Sequence, residues 1–124
     1  MPLESKLFKG DPALNACLVE DSAHITPGAV GPHVGKIHTA LFILDDFSVA
    51  RDELAMERYG ETTAAGVLAY KRKRNIINYS YETQADNIVG KMTIAAMDAE
   101  LFRKQYRPVP PPDPRSFAWT TRRV

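Results

Sequence analysis

One short pattern occurs twice in this chain, each time at the head of a helical run. Tyr59-Gly60-Glu61-Thr62-Thr63 is the first copy, and Val89-Gly90-Lys91-Met92-Thr93 follows thirty residues later. In each, an apolar residue can anchor the incoming chain and a glycine tolerates a turn that a Cβ would resist. A threonine in the first turn can serve backbone groups that a young helix leaves unpaired. Two such joints, each feeding apolar residues at helical spacing, read as a small internal duplication and point to an all-α fold.

The periodicity supports three main helices. Val34, Ile37, Ala40, Leu41 and Leu44 share one face of a helix over 34–44, which Asp45 and Asp46 end. A short helical turn over 52–58 has Leu54 as its apolar contact. The second main helix covers 61–74, with Ala64, Val67, Leu68 and Tyr70 on its inner side. The third covers 91–106, with Ile94, Met97 and Leu101 on a stripe and Phe102 alongside. Between them, 75–87 is β-branched and aromatic and reads as a short hairpin or an extended loop.

The flanks are of a different kind. Residues 1–32 mix prolines and glycines with one short helix over 13–19, started by Asp11 as cap and Pro12 as first residue, and read as an arm laid over the core. Residues 107–124 open on a run of prolines that favours polyproline II. They end on a stretch holding Phe117 and Trp119, which suits docking. The central domain is thus expected over 33–106.

Composition narrows the function. With 124 residues and 44% apolar content the chain can bury one core, and a formal net charge of +1 gives no reason to expect nucleic acid as partner. No window approaches a membrane span. The opening residues lack an apolar signal core, so the chain as written is expected to be made in the cytoplasm and to reach the envelope or periplasm, if at all, by a non-classical route. The single Cys17 excludes an intrachain disulfide and reads as a small buried apolar residue. His24, His33 and His38 lack the spacing of a metal site and read as satisfied surface histidines. No nucleophile signature, cofactor motif or catalytic residue emerges. Lys71, Arg72, Lys73 and Arg74 cover a whole helical circumference and read mainly as a solvated last turn.

The order Val34-x2-Ile37-His38-x2-Leu41-x2-Leu44, Tyr59-Gly60-x2-Thr63-x3-Val67-x2-Tyr70-Lys71 and Asp86-Asn87-Ile88-Val89-Gly90-x2-Thr93 resembles the peptidoglycan-binding-like three-helix domain family. His38 and Lys71 stand where that family usually has Gln, and Asn87 where it has Gly. The resemblance implies a non-catalytic module that holds bacterial cell-wall peptidoglycan or muropeptide. Its groove would be bordered by the loop before Tyr59, the 77–84 insertion and the start of the third helix. The residues expected there are Tyr59, Thr63, Tyr79, Tyr81, Asp86, Asn87, Lys91 and Thr93, although Tyr59 and Tyr70 hold positions the family fills with core Phe. The alternative is a protein-docking adaptor on the same scaffold, such as one that serves a contractile secretion or injection system. Its partner would be met through Lys71, Arg72, Lys73 and Arg74 or through the proline-rich tail.

Overall fold

A computed structural model describes residues 3–77 and 85–105. The described chain is all-α, with helices α1 (Pro12–Val19), α2 (Pro32–Asp45), α3 (Arg51–Met56), α4 (Glu61–Arg74) and α5 (Lys91–Gln105), and a 3₁₀ turn over Asp21–Ala23. Each boundary has a local cause. Asp11 starts α1 by accepting the amides of Ala13 and Leu14 at 2.9 and 3.1 Å. Asp46, Glu57 and Asn75 end α2, α3 and α4 in left-handed backbone with φ of 56°, 50° and 56°.

Helices α2, α4 and α5 supply Val34, Ile37, Ala40 and Leu41, then Val67 and Tyr70, then Ile94, Met97 and Leu101 to one buried cluster. The same cluster takes Leu3, Phe8, Leu14, Cys17 and Ile25. The N-terminal segment is thus packed into the same core as the three main helices. Each fully buried Leu, Ile or Phe contributes roughly 1.5–3 kcal/mol. Two backbone clamps reinforce the attachment. Asp98 on α5 accepts the amides of Glu4 and Ser5, at 2.9 and 2.8 Å for the closer contacts. Asn15 on α1 accepts the Leu3 amide at 2.9 Å.

The duplicated joints meet the N-terminal segment at two successive bridges. Ile25 pairs antiparallel with Val89, and Val30 with Arg58 next to Tyr59. The Tyr59 amide donates to the Ala29 carbonyl and the Gly28 amide to the Tyr59 carbonyl, both at 2.8 Å. Residues 25–30 thus lace the head of α4 to the head of α5. The duplication has a structural purpose that its own spacing does not reveal: it offers one extended segment two places to pair.

Gly66 sets the approach of α2 to α4. A Cβ there would lie 2.6 Å from the Phe47 ring and 3.0 Å from a Leu41 methyl. Alanine would gain about 1 kcal/mol in helix propensity but force overpacking that costs about 1–3 kcal/mol. Gly66→Ala is therefore expected to lower the melting temperature in a thermal scan; a rise would show that Phe47 moves aside freely.

Cys17 is buried, and its thiol donates to the Val89 carbonyl at 3.3 Å. Burial pushes the thiol up to about 11, against a small opposing effect of the Ile25 backbone. Native protein is expected to resist maleimide labelling at neutral pH and to label on unfolding. Labelling of the folded protein at the rate of a free thiol would contradict this burial.

Candidate functional site

The first joint is built around Glu53, on α3, where the sequence reading makes Leu54 the apolar contact. The structure inverts that expectation: Glu53 is buried and Leu54 is 46% exposed. The reason lies seven residues on. Oε1 accepts the amides of Gly60 and Thr63 at 3.0 and 2.9 Å and the Thr63 hydroxyl at 2.7 Å. Oε2 accepts the Thr62 amide at 3.0 Å and the Thr62 hydroxyl at 2.7 Å. The unpaired donors at the head of α4 are thus met by a carboxylate from another helix. Burial pushes Glu53 up, but the hydroxyls and amides of Thr63 and Thr62 outweigh it and hold the carboxyl at about 2.

Gly60 has an ordinary extended backbone, with φ of −104° and ψ of −160°. Its missing Cβ matters because that atom would lie 2.6 Å from the Glu53 carboxyl carbon. Gly90, by contrast, faces open space. The two joints match in sequence, but among the described residues a carboxylate occupies the Cβ space of the glycine only at the first.

His38 completes the arrangement from α2. Its Nε2 lies 2.8 Å from the Thr63 hydroxyl oxygen. The Thr63 proton is directed to ionised Glu53, so that oxygen accepts from Nε2–H and the tautomer follows from the neighbours. Nδ1 is then a bare acceptor. It is buried and, among the described residues, has no hydrogen-bond partner. Burial holds the imidazole below its ordinary pKa, opposed by the Arg58 carbonyl and the Glu53 and Glu57 carboxylates. The expectation of a satisfied surface histidine is thereby corrected: His38 is 3% exposed and half satisfied. A buried group without its partner costs about 1–3 kcal/mol.

His38 also lines an open cleft between α2 and α3. Pro32, Gly35, Lys36, Thr39, Leu54 and Glu57 form the rest of it, and its volume is about 370 Å³. Glu57 lies against Gly35, where a Cβ would sit 2.2 Å from Oε2. Thr39 uses its proton on the Gly35 carbonyl at 3.1 Å. Lys36 directs its ammonium to Asp11 at 3.1 Å.

The residues expected to bind ligand are distributed differently. Tyr59, Thr63 and Thr93 are buried. The Tyr59 hydroxyl donates to the Asn87 carbonyl, and burial, then the Asp86 charge, raises its pKa. Asp86 pairs with Lys71, whose ammonium also donates to the Ile88 carbonyl at 2.9 Å. Asn87 is half-buried and Lys91 exposed. The structure thus brings Tyr59, Asp86 and Asn87 together as a brace under the loop before α5. Tyr79 and Tyr81, like Phe117, Trp119 and the proline-rich tail, lie outside the described residues.

The basic run is also redistributed. Lys71 is buried, and Arg74 is clamped between Asp45 and Glu100, so only Arg72 and Lys73 of the four stand on the exposed side. Lys73 lies 3.5 Å from Asp45. A solvated last turn describes half of this run, and the other half is internal wiring.

Among the described residues no group of three or more His, Cys, Asp or Glu side chains could hold a metal ion, and no helix is long and apolar enough to cross a membrane. Comparison with protein families, with characterised proteins and with solved structures finds no match.

Proposed function

We propose that the protein is a non-catalytic binding module for bacterial cell-wall peptidoglycan, acting at the envelope, and that it receives ligand in the α2–α3 cleft. The observation that carries this reading is the cleft itself. It is open, its lining mixes polar and apolar groups, and it lies beside the first joint of the scaffold on which the family resemblance rests. Glu53, already saturated by five donors, is a poor base, so the Glu53–Thr63–His38 chain supports positioning better than proton transfer. Tyr59, Thr63 and Thr93 enter this reading as supports of the site. Asn87 and Lys91 remain candidates for an outer contact.

Co-sedimentation with purified sacculi tests it. Saturable pelleting is the expected result, and protein left in the supernatant at every sacculus concentration would overturn it.

A protein-docking adaptor is the second reading. It is favoured by Phe42 and Ile43, 56% and 43% exposed on the outer side of α2, and by exposed Met56 at the end of α3. Retained partner capture by a chain that does not pellet would favour it.

A further inference from the structure

The polar atoms of the α2–α3 cleft are of one kind. Nδ1 of His38 is a lone-pair acceptor because Nε2 carries the proton, but it is buried rather than open to the cleft. The Thr39 hydroxyl has spent its proton on Gly35 and can only accept. The Glu57 carboxylate is an acceptor, and among the described residues no donor or cation is paired with it. The one cation of the lining, Lys36, has its charge engaged by Asp11 at 3.1 Å. Pro32 and Leu54 add apolar walls, and Leu54 is left exposed there at the position where periodicity expects a core contact. A ligand group for such a site must bring several donors, preferably a positive charge, on an aliphatic stem.

We propose that the α2–α3 cleft binds a primary ammonium at the end of an alkyl chain, as carried by a lysine-like or diamino-acid side chain of a peptide. The ammonium sits against Glu57 and donates to the Thr39 hydroxyl, while its methylenes lie on Leu54 and Pro32. Two of the three ammonium protons meet these two acceptors, and the third is left to solvent. A guanidinium is a poorer match, because its planar fork suits a single carboxylate face rather than two separated acceptors. Burial keeps the imidazole neutral near pH 7, so it does not repel the cation. Gly35 is explained by the same arrangement, since any side chain there displaces the Glu57 carboxylate. This inference rests on the cleft being the ligand site of the proposed wall module.

The test is an NMR titration of the full chain with Nα-acetyl-lysine methylamide, following the His38 ring and the amides of Gly35, Leu54 and Glu57. The norleucine analogue, which lacks the ammonium, and the Nε-acetylated analogue serve as controls. Saturable shifts at these positions with the lysine probe, and not with either control, are expected. Glu57→Gln is expected to weaken the lysine probe by about fivefold, the range of a partly exposed ion pair. Gly35→Ala is expected to weaken it comparably without a change of charge. The amide spectrum of each variant reports whether it is folded. Absent shifts, equal shifts with the norleucine probe, or an unchanged affinity in both folded variants would overturn the inference. Sacculus pelleting is scored separately. Pelleting with no response to the lysine probe defeats the ammonium inference alone, whereas a response without pelleting defeats the wall reading alone.

Discussion

Arg74→Ala is expected to destabilise the fold by about 3–5 kcal/mol, the usual cost of stripping one partner from a buried ionic cluster. Its guanidinium donates through Nε and Nη2 to Glu100 at 2.6 and 2.7 Å, and through Nη1 and Nη2 to Asp45 at 3.2 and 2.9 Å. It also lies 3.7 Å from the centre of the Tyr70 ring, whose hydroxyl donates to Glu100 at 2.6 Å. One side chain of α4 thereby ties the end of α2 to the middle of α5. Removing it leaves two largely buried carboxylates, with only the exposed Lys73 ammonium, 3.5 Å from Asp45, to offset them. Burial pushes Glu100 up, but hydrogen bonds from Arg74 and Tyr70 outweigh this and hold it below its ordinary value. Arg74→Lys is expected to recover little, because an ammonium cannot satisfy both carboxylates in two directions. Urea denaturation measures both variants, and a loss below about 1 kcal/mol for Arg74→Ala would reduce the cluster to an ordinary surface pair.

Glu53→Gln is the second large effect. It keeps the shape but exchanges an acceptor for a donor, so at least two of the five donors at the head of α4 lose their partner or face an N–H. The expected loss is about 2–3 kcal/mol, from a missing cap and unsatisfied buried donors. The variant also tests a pH dependence. Glu53 has a folded pKa of about 2 against an ordinary 4.5, so its contribution is complete above about 4.5 and disappears as pH falls towards 2. Wild-type stability should therefore decline across that window more steeply than that of Glu53→Gln. Parallel pH profiles would show that the carboxylate is not the charged cap of α4. His38 is expected to follow it: loss of the cap frees Thr63, and the His38 ring signals should shift in the folded fraction.

The contrast between these residues explains what could be read ahead of the structure. Helix positions depend on local periodicity, so α4 falls over Glu61–Arg74 as expected, and Asp11 with Pro12 marks the start of α1 within a residue. Glu53 and His38 depend on partners that periodicity does not see. Glu53 is buried, and Leu54 is not, because backbone donors of the next helix demand an acceptor. The one available signal was Gly60 preceding two threonines, read as turn tolerance when it was in fact space for a carboxylate. The N-terminal segment was read as an arm because its prolines and glycines break helices, although Leu3, Phe8, Leu14 and Cys17 belong to the central core. Lys71 and Arg74 looked like solvated charge because their counter-ions, Asp86, Asp45 and Glu100, are distant in sequence.

The claim that a wall ligand enters the α2–α3 cleft is tested most directly by an amide-shift titration with a defined muropeptide bearing a free side-chain ammonium. The account predicts saturable shifts concentrated at Gly35, His38, Thr39, Leu54 and Glu57, with Lys91 and Asn87 responding less. Shifts confined to the head of α5, or none with a ligand that saturates sacculus binding in competition, would contradict it.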